Sequence, residues 1–367
     1  MLERCLQLSG SSQKLWGYGI LSIKLKFPFC LIIIMGNKCN SSCEPINKCS
    51  CGKLLCKHVT ARHTKKGHTI GPLADERTRR VIVSGGCDKK VRIWEDGEVK
   101  VLEGHNELVS SVAVSQKKEI VVSGSWDFSI AVWSLATGQV IQVLEGHTDP
   151  VCSVAISSDG EWVVSGSKDD TLRVWSLASG KTTLVLTGHR NWVTSVAISS
   201  KNEYIVSGSS RDRTLRVWSL TTGETIRVIE VNRESPLSVA ISKSEEYIIS
   251  GISDATIKVW SLGSGELIRV LRGHSNSVNS VAISSKDEFI VSGSYDETVR
   301  VWSFTSGETT RVLEGHDRGV FSVKISSDDS YLVSGGEDGS VRTWDLTGEE
   351  ETQVLMHHDG VWAVDLT

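Results

Sequence analysis

From Val81 onward, apolar and polar positions change places every one or two residues, in segments too short for helices. Val193–Ser199, Tyr204–Gly208, Leu215–Ser219 and Thr225–Ile229 are typical. Each is rich in Val, Ile or Thr, the β-branched residues that fit a pleated surface, and each predicts a strand. The breaks between such segments carry turn chemistry, as at Ser158–Gly160, Thr222–Glu224 and Ser264–Glu266. There a small polar side chain or a glycine lets the backbone reverse. No stretch after Arg80 shows the 3.6-residue period of an amphipathic helix.

The segments recur in a fixed frame. Gly-His stands at Gly104-His105, Gly146-His147, Gly188-His189, Gly273-His274 and Gly315-His316, in steps of 42 apart from one extra residue near Ser210. A second series runs Trp94, Trp133, Trp175, Trp218, Trp260, Trp302 and Trp344. Six residues before each stands an aspartate: Asp88, Asp127, Asp169, Asp212, Asp254, Asp296 and Asp338. Seven units of four strands, with Gly-His near one end and a tryptophan near the other, resemble the WD-repeat (WD40) β-propeller. The resemblance covers about four-fifths of the chain. It implies an all-β, seven-bladed WD40 β-propeller with four antiparallel strands per blade, over residues 69–367.

This chain departs from the family pattern in places. Trp-Asp is literal only at Trp344-Asp345, five units have Trp-Ser, and the first has Trp94-Glu95. The fourth and last junctions lack Gly-His and read Val231-Asn232 and His357-His358. Asp254 is therefore expected to face Asn232, with weaker local hydrogen bonding. The first unit shows three strands, at Val81–Gly85, Lys90–Glu95 and Val99–Glu103, while Ile70–Asp75 makes a poor innermost strand. Val361–Thr367 fits that place and is expected to close the first blade, which removes an open edge. The competing topology keeps Ile70–Asp75 as a local strand and leaves the C-terminal segment outside.

By resemblance to the family, the junction histidine, a strand serine, the turn aspartate and the tryptophan form a hydrogen-bonded set within a blade. The sets implied are His105, Asp127, Trp133; His147, Ser165, Asp169, Trp175; His189, Ser207, Asp212, Trp218; His274, Asp296, Trp302; and His316, Asp338, Trp344. Chemistry agrees, because a buried indole N–H and a buried imidazole each need a partner. Groups repeated in this way stabilise a fold; a reaction needs one copy. The arginines two residues before the tryptophans (Arg92, Arg173, Arg216, Arg300, Arg342) repeat as well and are expected on a solvated strand face. Cys87 and Cys152 have no paired acid or histidine and are read as core fillers. No phosphate-binding Gly-Lys-Ser/Thr loop, Gly-x-Ser-x-Gly elbow or His-Glu-x-x-His occurs, so neither a catalytic residue nor a cofactor is expected.

Recognition is sought where the units disagree. Just before the turn aspartate stand Cys87, Trp126, Lys168, Arg211, Ser253, Tyr295 and Glu337, and the innermost strand carries at its second place Ser110, Cys152, Thr194, Leu237, Asn279, Phe321 or Trp362. The family geometry implies that both positions lie on one end of the disc. With Trp192 they assemble Trp126, Trp192, Tyr295, Phe321 and Trp362 beside Lys168 and Arg211. Large aromatics with cations are the residue types of binding hot spots, so this face is expected to bind a partner peptide or domain, an acidic one among the candidates. The alternative is that these aromatics wedge between blades.

Charge and cysteine divide the chain in two. Through Arg80 there are 14 Lys+Arg against 4 Asp+Glu, which leaves 26 against 40 beyond it. Seven of nine cysteines lie before residue 57, so no disulfide framework holds the body, in keeping with a reducing compartment. The longest apolar run, Phe27–Met35, is far shorter than the roughly 20 residues of a spanning helix. Residues 1–68 read as a basic, cysteine-rich leader, largely disordered, with three further readings. Cys39, Cys43, Cys51 and Cys56 are candidate zinc ligands at spacings that are only tolerable, at the wide end of the usual two to four residues. Gly36 and Cys39 in Met35-Gly36-Asn37-Lys38-Cys39 resemble an acylation signal if the chain starts at Met35. Phe27–Met35 lacks the cleavage site of a signal peptide.

Together these readings give a cytoplasmic, non-catalytic scaffold or adaptor for other proteins or peptides, monomeric outside a complex. Nucleic acid is not expected as a partner, because the body is acidic. The alternatives are a membrane-tethered signalling scaffold, in contact with the membrane through the leader, and a substrate receptor of a ubiquitin-ligase-type complex.

Overall fold

The computed structural model describes residues 81–366 apart from Asp96, Glu349, Glu350 and His358. The zinc, acylation and leader readings, and the local strand at Ile70–Asp75, lie outside the described residues. Within them run 28 strands in seven four-stranded antiparallel sheets, the blades of a propeller. The second blade is Val109–Ser115, Ile120–Ser125, Ile130–Ser134 and Val140–Leu144, in order from the centre outward, and five more repeat it. In the first, Val361–Leu366 takes the innermost place beside Val81–Gly86, followed by Val91–Glu95 and Glu98–Leu102. Its register pairs Ile82 with Leu366 and Ser84 with Val364. The C-terminal strand thus closes the first blade.

Burial explains the composition of each strand. The second strand of a blade is covered on both faces by its neighbours, so Ile120–Ser125 and Tyr331–Gly336 are buried throughout and carry no alternation. The outermost strands alternate instead, as Lys181–Leu186 does, because one face meets solvent. The core lies between blades: Val83, Val91 and Ile93 of the first meet Val109, Val121 and Trp133 of the second. Each fully buried side chain of this kind contributes about 1.5–3 kcal/mol. Glycine in the recurring Ser-Gly-Ser marks how close the blades come. A Cβ on Gly166 would sit 2.6 Å from Val193 Cγ1 of the next blade.

The innermost strands are joined around the ring by one repeated bond. Ser111, Ser153, Ser195, Ser238, Ser280 and Ser322 each accept, through Oγ, the backbone N–H of Val154, Val196, Val239, Val281, Val323 and Val364 of the next blade, at 3.0–3.2 Å. In the closing strand Ala363 stands where the serine falls, and Asp365 takes over. Its Oδ2 accepts Val114 N–H at 2.8 Å, while Lys324 Nζ of the seventh blade lies 3.7 Å from its Oδ1. One carboxylate therefore ties the seventh, first and second blades together.

Candidate functional site

Five blades contain the same hydrogen-bond chain. The tryptophan Nε1 donates to the serine Oγ at 2.8 Å, in Trp133–Ser123, Trp175–Ser165, Trp218–Ser207, Trp302–Ser292 and Trp344–Ser334. That Oγ lies 2.7 Å from Nε2 of His105, His147, His189, His274 or His316. Nδ1 of each histidine lies 2.7–2.9 Å from Asp127, Asp169, Asp212, Asp296 or Asp338. A carboxylate can only accept, so Nδ1 carries the proton, Nε2 accepts the serine O–H, and every group is satisfied. Burial by itself raises the carboxyl pKa, but the bonds from the histidine, the turn hydroxyl and backbone amides outweigh it. All five lie well below the usual carboxylate range, Asp212 at about 2.

Asp, His and Ser in this order are also the constellation of a serine hydrolase. Here the serine Oγ is wholly buried and already holds the indole proton, so no carbonyl can approach it. The set is a brace that fixes the turn against the strand. Among the described residues no cluster of His, Cys, Asp and Glu is able to hold a metal ion.

Two blades differ, and the sequence did not reveal how. In the first, His357 fills the histidine place although Gly-His is missing, and it is buried. Arg92 is buried beside it, with Nη1 2.7 Å from His357 Nδ1 and Nη2 2.6 Å from Asp88 Oδ2. Trp94 Nε1 donates to Ser84 at 2.9 Å. The signal was present as His357 one residue short of the period. In the fifth blade no hydrogen bond joins Asp254 to Asn232 among the described residues. Asp254 Oδ1 accepts from Thr256, and Lys258 Nζ lies 4.0 Å from Oδ2.

Two further expectations are corrected. The arginines before the tryptophans do not line a solvated face: Arg92 is buried, and Arg173 and Arg216 lie half-buried over Trp175 and Trp218, at 5.8 and 5.6 Å from the rings. Their flat guanidinium groups cover the indole that a solvated face would leave wet. Cys87 is exposed, with its sulfur 2.9 Å from Trp362 Nε1. Cys152 is half-buried, and burial pushes its thiol up to about 12.

The seven residues singled out for recognition form one continuous arc. Tyr295 meets Phe321 edge-on at 5.4 Å between centroids, Phe321 stacks on Trp362 at 4.6 Å, and Trp362 lies 6.4 Å from Trp126. Lys168 Nζ sits 3.8 Å from the centre of Trp126 and 4.6 Å from that of Trp192, and the Arg211 guanidinium lies 4.0 Å from the latter. The backbone explains the convergence. The residue before the turn aspartate donates its N–H to the residue before the innermost strand, as Trp126 does to Leu108, Lys168 to Pro150 and Tyr295 to Ser277. Side chains at the two variable places are thus held at one mouth. Trp126 and Tyr295 remain 36% and 41% exposed, too open for wedges between blades. Burial, together with the nearby Arg211 charge, lowers the pKa of the Lys168 ammonium.

A family model described as WD domain, G-beta repeat matches six stretches: 97–134, 138–176, 180–219, 223–261, 265–303 and 307–345. Among curated proteins, the chain is 36% identical over 78 residues to Cell division control protein 4 of Candida albicans, covering 20% of this chain and 11% of that protein. It is 38% identical over 63 residues to Small ribosomal subunit protein RACK1y of Oryza sativa subsp. japonica, covering 16% of this chain and 19% of that one. The chain thus spans less than a fifth of the length of either relative. The six matched repeats take in well over half the chain, and the ring holds seven blades with the family's brace in five of them: the chain belongs to the WD40 repeat family.

Proposed function

We propose that the protein is a non-catalytic scaffold or adaptor that presents the mouth of its propeller to partner proteins or peptides in the cytoplasm. The observation that carries this reading is the unbroken arc from Tyr295 to Arg211, in which five aromatic rings and two cations touch in sequence. None of the seven is needed for the braces or for the inter-blade serine bonds, and their exposed parts offer rigid, amphipathic contact area at little entropic cost. Lys168 and Arg211 bias that half of the mouth toward acidic groups, while Phe321, Tyr295 and Trp362 bias the other toward apolar ones. Replacing Trp126, Tyr295 and Phe321 together by alanine should leave the circular dichroism of the fold intact and remove partners from an affinity capture. Capture of the same partners by the folded variant would end this reading. Versions starting at Met1 and at Met35, compared in the same capture, separate a free adaptor from a membrane-tethered one and from a receptor within a ubiquitin-ligase-type complex.

A further inference from the structure

The extra residue of the fourth blade and the missing Gly-His after it fall beside each other, and between them a cavity of about 370 Å³ opens on the outer side of the fourth blade. It is lined by four arginines: Arg190, Arg213, Arg216 and Arg233. Arg213 and Arg233 stand at positive φ, 61° and 69°, in the turns that bound the cavity. Arg190, Arg213 and Arg233 are exposed and Arg216 is half-buried, its Nε buried without a hydrogen-bond partner. No ion pair engages any of the four among the described residues. Two carboxylates share the lining: Asp212 is saturated by His189, Arg190 N–H and Thr214, and Glu230 is exposed.

Four cations against two carboxylates, one of them already engaged by its own brace, leave an uncompensated positive charge in a body that is otherwise acidic. The cluster is not a property of the repeat. Arg300 occupies the place of Arg216 in the sixth blade, and around it stand Ser275, Glu297 and Asp317 where the fourth blade has Arg190, Arg213 and Arg233. In the first blade the cationic turn residue Lys89 is paired with Glu107 at 3.3 Å. The lining of the cavity carries a formal surplus of two positive charges. A phosphate monoester carries about −1.5 to −2 near neutral pH and presents oxygens to which guanidinium forks bond in pairs.

We propose that this cavity is an anion site that takes a phosphoryl group, separate from the aromatic arc and joined to it through the single turn that carries both Arg211 and Arg213. The full chain is titrated by calorimetry with inorganic phosphate, O-phosphoserine, and a synthetic heptapeptide with and without a central phosphoserine. The phosphorylated probes should bind and the bare peptide should not. The triple variant Arg190→Gln, Arg213→Gln, Arg233→Gln, altered only at exposed side chains, should bind about tenfold more weakly or less. Arg318→Gln, on the seventh blade and paired with Glu337, should bind as the parent does. A phosphopeptide that binds about tenfold more tightly than free phosphoserine assigns the site to a modified residue of a partner protein. Equal binding assigns it to a small phosphate ester, and both outcomes support the anion site. Binding unchanged in the triple variant, or no binding of any phosphate probe, overturns it. Because no residue of the arc is altered, loss here leaves the proposed recognition face untested and intact.

Discussion

Asp365→Ala should be the most damaging change at any of the hydrogen-bonded joints of the ring, and the structure sets its size. The carboxylate accepts Val114 N–H at 2.8 Å, a bond to a charged acceptor worth about 1.5–3 kcal/mol. The Lys324 contact at 3.7 Å involves a half-exposed ammonium and adds at most a few tenths, roughly 0.2–0.5 kcal/mol. The variant should therefore lose about 2 kcal/mol, which for a domain of this size lowers Tm by about 3 °C. The matched control is Ser280→Ala, which frees Val323 N–H at a joint made by a neutral acceptor and should cost about 1 kcal/mol. Lys324→Ala should be close to neutral. Urea unfolding followed by tryptophan fluorescence reads all three, and because the amide bond is short-ranged, 1 M NaCl should leave the Asp365→Ala deficit in place. If Lys324→Ala reproduces the deficit, or Asp365→Ala costs no more than Ser280→Ala, the closing joint is not the amide bond described.

Acid should weaken the fold through the braces. The five brace carboxyls are held below their unfolded values, so their contribution is complete above about pH 4 and declines as pH falls below it, that of Asp212 being lost as pH passes through about 2, its value in the fold, and those of the other four at lower pH still. Asp212→Asn should lower the urea midpoint at pH 7 and flatten its fall between pH 4 and 2; an unchanged slope contradicts this. Gly166→Ala drives a methyl to 2.6 Å from Val193 Cγ1 and should cost about 1–3 kcal/mol by overpacking, measured as a fall in Tm. With iodoacetamide at pH 8, Cys152 should stay unmodified, its thiol being pushed up to about 12, while exposed Cys87 is labelled; peptide mapping that finds the reverse order refutes the assignment.

The architecture was legible because a propeller is periodic. Gly-His and the turn aspartate recur at fixed steps, and Val361–Leu366 resembles the other innermost strands closely enough to be placed beside Val81–Gly86. The positions that make up the aromatic and cationic arc were visible as the places where the units disagree, although the direct stacking of Phe321 on Trp362 depends on rotamers that no spacing encodes. Where the period breaks, a side chain already in the frame makes a contact that its counterparts in the other blades do not make. Arg92 reaches His357 and Asp88, Lys258 comes within 4.0 Å of Asp254, and Asp365 replaces the serine that Ala363 lacks. The arginines packed on Trp175 and Trp218 were misjudged because charge suggests solvent, whereas a guanidinium plane has two apolar faces.

The marriage of Val361–Leu366 to Val81–Gly86 has a consequence for biosynthesis. Blades two to seven are each contiguous in the chain and can form in turn as the polypeptide leaves the ribosome, but the first waits for partners some 280 residues downstream. Until they emerge, Val81–Gly86 offers an unpaired edge to any passing β-strand, so the nascent ring is most exposed to mispairing in the interval before its last strand arrives.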